Sequence, residues 1–174
     1  MWKKYKNIVL LPVILFLTLA ASALVSGCST TQHEEQDTKL TCTISISCAT
    51  ILDNMDNLDE EKMNIVPADG WILKPTTVTF NDGESVFDVL LRVCREQKIH
   101  MEFSDTPMYN SAYIEGIANV YEFDCGSLSG WMYKVNEWFP NYGCSRYVLK
   151  DGDIIGWVYT CDLGTDVGDS SMRE

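Results

Sequence analysis

The chain has 174 residues, with 13 Lys and Arg against 25 Asp and Glu and a formal charge of −12. The first 27 residues hold three lysines and no acid, so the 147 residues that follow carry −15. A body of that size fits one domain with a tether and excludes a large two-domain enzyme. Its acidity argues against a nucleic-acid partner, because phosphate binding needs concentrated Lys and Arg.

Lys3, Lys4 and Lys6 precede an almost wholly apolar run from Ile8 to Val25. That order reads as a secretory signal over residues 1–27. A retained membrane helix is the alternative, since the run approaches spanning length. Val25-Ser26-Gly27-Cys28 resembles a bacterial lipobox. The resemblance implies that Cys28 is diacylated, as by palmitate, and becomes the mature N-terminus. The expected location is the extracytoplasmic face of a bacterial cell membrane, held by a lipid anchor. Residues 28–40 then form the lipidated cysteine and a hydrophilic stalk, with too little apolar surface to repay ordering entropy. His33-Glu34-Glu35 lacks the second histidine of a zinc helix.

Six further cysteines follow: Cys42, Cys48, Cys94, Cys125, Cys144 and Cys161. An even number in an exported chain predicts disulfides, with fifteen possible pairings. Pairing between the terminal strands, and of Cys94 with a neighbouring loop, is favoured without being fixed. No Cys-x-x-Cys unit is present, which argues against a thioredoxin-like site.

Residues 41–48 alternate strictly, with Cys42, Ile44, Ile46 and Cys48 on one face, and predict a half-buried strand. Asn54 to Asn64 is acidic and weakly helical. Trp71 to Phe80 is rich in β-formers, with Pro75 pointing to a sheet edge. Ser85 reads as a helix cap with Asp88 completing a capping box. Phe87, Leu90, Leu91 and Cys94 then mark an amphipathic helix over residues 85–97. Short strands are expected over Ile99–Phe103, at Tyr113-Ile114, over Tyr121–Cys125 and over Trp131–Val135. A last strand places Ile155, Trp157, Tyr159 and Cys161 on one face. The sum is an α+β domain over residues 41–164, a small mixed or antiparallel sheet on one main helix, disulfide-supported, followed by a frayed polar tail at 165–174.

Three stretches carry a family resemblance. Phe80-Asn81-Asp82-Gly83-Glu84-Ser85-Val86-Phe87-Asp88-Val89-Leu90 resembles the strand–turn–helix entry of the DUF4430 family. Ser129-Gly130-Trp131-Met132-Tyr133-Lys134-Val135-Asn136 resembles its central strand, and Leu149-Lys150-Asp151-Gly152-Asp153 with Trp157-Val158-Tyr159 its closing segment. That family is similar to the C-terminal β-domain of transcobalamin and intrinsic factor, which implies a β-grasp-like fold and a soluble-ligand-binding module. Cobalamin or a related corrinoid is one ligand the resemblance implies. No resident cofactor and no metal are expected. Glu137 stands where family members usually carry Gly. The vertebrate relatives close their site with a helical-barrel domain, so here a second chain would have to supply that half.

Trp131, Tyr133, Trp138, Phe139, Tyr142, Tyr147, Trp157 and Tyr159 form the densest aromatic region. The strand members Trp131, Tyr133, Trp157 and Tyr159 fit core packing. Trp138, Phe139 and Tyr142 lie in a loop, where they either cover the core or form a recognition surface. Trp131, Tyr133, Trp138, Phe139, Tyr142 and Trp157 are the ligand-binding candidates. Asp151, Asp153, Asp162 and Asp166 do not match a calcium loop. His100 has no assignable nucleophile, and Cys94 belongs to the apolar helical stripe, so no catalytic residues are assigned. The expected function is a non-enzymatic, membrane-anchored module for a corrinoid-like small molecule or a glycan. The alternative is an adhesive envelope module that binds a surface protein through the aromatic loop and a sheet edge.

Overall fold

A computed structural model describes residues 39–106 and 110–169. The signal, Cys28, most of the stalk and residues 170–174 lie outside the described residues, as do Pro107, Met108 and Tyr109. Among the described residues, seven strands and one α-helix organise the domain. They are β1 (Leu40–Ser47), β2 (Trp71–Phe80), α1 (Val86–Gln97), β3 (Met101–Thr106), β4 (Ser111–Ile117), β5 (Val120–Tyr121), β6 (Gly130–Val135) and β7 (Ile154–Thr160). Among the described residues, no helix is long and apolar enough to cross a membrane.

The main sheet has the order β2-β1-β7-β6. Its central pair is parallel, with Ile44 beside Ile155 and Ile46 beside Trp157. The two flanking pairs are antiparallel. The α+β class and the single main helix hold, but the expected single sheet does not. A second sheet, β3-β4-β5, collects the strands between α1 and β6. Ala118 and Asn119, both left-handed at φ 53° and 62°, reverse the chain so that β5 folds back on β4.

Alternation in β1 buries Cys42, Ile44 and Ile46 against α1, whose apolar stripe supplies Val86, Val89, Leu90, Val93 and Cys94. Burying a side chain of this size contributes about 1.5–3 kcal/mol, so this stripe holds the helix to both sheets. The capping box forms as expected. Ser85 Oγ accepts from the Asp88 N–H at 3.2 Å, and Asp88 Oδ2 accepts from the Ser85 N–H at 2.8 Å. Lys98 ends the helix in the left-handed region, and the Ile99 N–H returns to the Cys94 carbonyl at 2.8 Å. That cap consumes Ile99 and delays β3 to Met101.

A second, smaller core joins Cys48, Ile51, Leu58, Val120, Cys125 and Tyr159. The acidic segment Asn54 to Asn64 winds as two short 3-10 turns rather than one helix, and a third, Ala49–Asp53, precedes them. The strand expected over Tyr121–Cys125 stops at Tyr121. Asp124 takes the Tyr121 N–H at 2.8 Å and Lys62 at 3.2 Å, and Phe123 turns at φ 67°. The chain after β7 does not fray at 165. Thr165–Val167 forms a turn, and Asp166 accepts the Cys161 N–H at 2.7 Å.

The expected disulfide support is not found. All six cysteines are thiols, five of them buried. They pack as small apolar side chains, and burial pushes Cys94 and Cys144 up to about 11. Packing rather than cross-linking holds the structure described here.

Trp157 is the largest fully buried side chain, and its indole N–H has no hydrogen-bond partner among the described residues. An orphaned buried donor costs about 1–3 kcal/mol. Trp157→Phe removes that donor while keeping most of the ring, so its loss of stability in urea should stay below about 1.5 kcal/mol. Trp157→Ala should cost about 3–5 kcal/mol. Equal losses for the two variants would show that the indole N–H is satisfied.

Candidate functional site

β6 leaves the sheet at Val135 and reverses at once. Val135 and Trp138 exchange both backbone hydrogen bonds, at 2.9 and 3.0 Å, around Asn136 and Glu137. Both central residues have positive φ, 52° and 65°. This is the two-residue turn that matches strand twist and normally takes Asn-Gly. Asn136 suits it and is clamped from both sides. Its Nδ2 donates to Asp153 at 2.8 Å, and its Oδ1 accepts the Ile154 N–H at 3.0 Å. Glu137 does not suit it, since a side chain there meets the following carbonyl.

The turn throws Trp138 outward to 52% exposure. Its ring meets Tyr142 edge-on at 6.1 Å, and Tyr142 stacks on Tyr147 at 6.5 Å with planes 16° apart. The Arg146 guanidinium lies over Tyr142 at 5.7 Å, and the Lys134 ammonium over Phe139 at 6.0 Å. The Trp138, Tyr142 and Tyr147 rings make a partly exposed shelf with the Arg146 cation on it.

The shelf is pinned from beneath. The Tyr133 hydroxyl donates to the Tyr142 carbonyl at 2.8 Å. Burial pushes that hydroxyl well above its ordinary range, which keeps it a donor. Ser111 of β4 and Ser145, in the 3-10 turn Cys144–Arg146, then clasp each other's segments. The Ala112 N–H donates to Ser145 Oγ at 3.1 Å, and the Ser145 N–H to Ser111 Oγ at 3.3 Å. Gly143 permits this approach, because a Cβ there would stand 1.9 Å from Ser111 Oγ.

The six aromatic candidates therefore divide. Trp138 and Tyr142 come together on the shelf, while Phe139 meets the Lys134 ammonium. Tyr133 and Trp157 are core, in ring contact at 5.6 Å. Trp131 packs on Tyr159 at 5.3 Å and donates to the Val120 carbonyl at 2.9 Å. Sequence reasoning noted Tyr147 without placing it. It missed Arg146 and Lys134, whose ring contacts are local but follow no helical or strand period, and the Ser111–Ser145 clasp, which forms only through long-range packing.

The remaining polar candidates have structural roles. Asp151 accepts the Thr41 N–H at 2.8 Å, and Asp153 accepts the Lys150 N–H at 2.9 Å. Among the described residues, no group of three or more His, Cys, Asp or Glu is placed to hold a metal ion. His100 meets Glu102 at 3.3 Å on an exposed face, while Cys94 is buried in the core under α1. A thiol raised by burial is the opposite of an activated nucleophile.

The segment that builds this shelf is similar to a known family. Residues 83–161 match the DUF4430 family, described as a domain of unknown function. The match runs from the turn before α1 to just past β7, so it includes the shelf and leaves out β1 and β2. Haptocorrin in complex with Cbi aligns over 71% of this chain at 12% identity, with a TM-score of 0.50. The aligned part is 25% of haptocorrin, so this chain corresponds to about a quarter of that protein's length. A Ruminococcus gnavus protein provisionally described as metal binding aligns over 70% of this chain and 97% of its own, at 13% identity and a TM-score of 0.41. At these identities the haptocorrin likeness concerns the fold. A comparison with curated proteins finds no match.

Glu137 supplies a test of this turn. Its left-handed conformation costs about 1–2 kcal/mol. Its ion pair with Lys134, at 2.7 Å, is 80% exposed on the glutamate side and returns little. Glu137→Gly should therefore raise stability by roughly 0.5–1 kcal/mol in urea denaturation. A loss of stability would show that the Lys134 pair outweighs the strain.

Proposed function

We propose that this protein is a lipoprotein anchored through Cys28 on the extracytoplasmic face of a bacterial membrane, where its β-grasp-like domain binds ligand without catalysis. The signal-like first 27 residues and the lipobox-like Val25-Ser26-Gly27-Cys28 support the anchor. The aromatic shelf supports the binding role, and a glycan is the ligand that fits it best.

One observation carries the glycan reading: Trp138, Tyr142 and Tyr147 form a continuous, partly exposed row of rings. Aromatic faces offer apolar area at low entropic cost, and the apolar face of a sugar ring can lie on them. Arg146 stands over the row at Tyr142 as a donor to hydroxyl or acidic substituents. Trp157 is buried, and the partly buried Trp131 has its indole N–H on the Val120 carbonyl, so neither lines a deep small-molecule cleft. A corrinoid is the second reading. It draws on the transcobalamin resemblance and on the fold likeness to haptocorrin, which was crystallised with Cbi.

The anchor and the site are tested separately. Cys28→Ser should abolish incorporation of labelled palmitate and release from its signal; unchanged labelling would remove Cys28 as the lipid carrier. The detergent-purified full chain is then titrated with a panel of neutral and acidic oligosaccharides and with cobalamin, following tryptophan fluorescence. A saturable response to a glycan is expected, weakened about tenfold or more by Trp138→Ala. A response to cobalamin alone would favour the second reading. Silence with both would turn the shelf into a protein-docking surface and overturn the glycan assignment.

A further inference from the structure

Two of the six thiols are placed to react with each other. Cys125 is buried in the smaller core, and Cys161 packs against that same core from a partly exposed position. Each thiol is close enough to perturb the other, while Cys125 Sγ donates to the Asn54 carbonyl at 3.4 Å. The backbone holds them together independently of that contact. Gly130 of β6 pairs with Thr160 of β7, which brings the turn before β6 beside the residue after β7. Just beyond, the Leu163 N–H donates to the Leu128 carbonyl at 3.0 Å. Both flanking segments are fixed as well. The Cys125 N–H donates to Ser129 Oγ at 3.2 Å, and the Cys161 N–H to Asp166 at 2.7 Å.

The other cysteines lie in different surroundings. Cys48 shares the smaller core, but its charged neighbour is Asp69 and its N–H is bonded to the Gly70 carbonyl at 2.8 Å. Cys144 donates to the Ala112 carbonyl at 3.6 Å. Cys42 and Cys94 belong to the larger core beneath α1.

We propose that Cys125 and Cys161 are a disulfide-forming pair, oxidised in the exported protein, and that Cys42, Cys48, Cys94 and Cys144 remain thiols. The in-cell part rests on the extracytoplasmic location proposed above, where disulfides persist. The oxidant is a disulfide-bearing thiol oxidoreductase or a small-molecule disulfide. Exposure decides the order of attack. The Cys161 thiolate attacks one sulfur of the oxidant, forms a mixed disulfide and expels the first thiolate. The Cys125 thiolate then attacks Cys161 Sγ, closes the Cys125–Cys161 bond and expels the second. The two cysteine protons end on the two released thiols, and the two electrons reduce the oxidant's disulfide. Burial, and then the contact with Cys125, push the Cys161 thiol up to about 12, so the uncatalysed exchange is slow.

The bridge closes a long loop that contains β6, the shelf and β7. Closing such a loop restricts the unfolded chain, so the oxidised protein should melt about 10 °C above the reduced one. The test uses the full chain in detergent, reduced and then incubated with glutathione disulfide. Non-reducing peptide mapping should show the Cys125 peptide joined to the Cys161 peptide, with the other four cysteines alkylatable after unfolding. Cys161→Ser, at the less buried position, should lose both the joined peptide and the oxidant-dependent rise in melting temperature. Links through Cys42, Cys48, Cys94 or Cys144, or free Cys125 and Cys161 after oxidation, would overturn the pairing. Protein alkylated at the moment of cell lysis should already carry the bridge. Free thiols there, with bridging in vitro, would support the pair and count against the extracytoplasmic location.

Discussion

The parallel pairing of β1 with β7 is the constraint on which the other elements depend. Five residues of the first strand, Thr43 to Ser47, lie in register with Ile154 to Val158 of the last. Each then recruits its antiparallel neighbour, β2 on one side and β6 on the other. The pairing buries Ile44 and Ile46 beside Ile155 and Trp157 under α1. Such non-local pairing is entropically expensive before it is rewarded, so the apolar stripe of the helix must supply much of the return. The stripe reaches both sheets, which explains why one helix suffices for seven strands.

The legible parts of this fold were those with strong local periodicity. The alternation of Cys42, Ile44 and Ile46, and the spacing of Phe87, Leu90, Leu91 and Cys94, placed β1 and α1 to within a residue or two. Ser85 and Asp88 gave the capping box because both partners sit within one turn. The division into two sheets was not legible, because β3 and β4 choose each other through the reversal at Ala118-Asn119 and not through their own patterns. Cysteine number suggested cross-links, yet number carries no distance. Only the packed structure brings Cys125 and Cys161 side by side, apart from Cys42 and Cys94 in the larger core and from Cys48, which shares the smaller core with other neighbours.

The site divided along the same line. Alternation correctly marked Trp131, Tyr133, Trp157 and Tyr159 as packing residues. Trp138, Phe139 and Tyr142 carried an ambiguous signal, since a loop aromatic can fold inward or outward. The two left-handed residues at Asn136 and Glu137 resolve it, because that turn fixes the direction in which Trp138 leaves β6. The support from Ser111, Gly143 and Ser145 joins residues more than thirty positions apart and has no local pattern to betray it. A strained turn on a firmly held base is the arrangement expected where conformation is fixed for recognition.

One hydrogen-bonded corner ties the shelf to the sheet's central pair. Asn136 binds the Asp153 carboxylate and both backbone groups of Ile154. The Asp153 carbonyl accepts the Thr43 N–H at 2.9 Å, and the neighbouring Asp151 carboxylate accepts the Thr41 N–H. The shelf turn, the entry to β7 and the start of β1 therefore meet at one end of the sheet. This accounts for the acidic Lys-Asp-Gly-Asp segment without a cation, because its carboxylates are consumed as backbone acceptors. It also places the aromatic row on the most long-range part of the fold. Binding there would be coupled to the β1–β7 pairing, so a ligand that favours the ordered turn would stabilise the whole domain through the same corner.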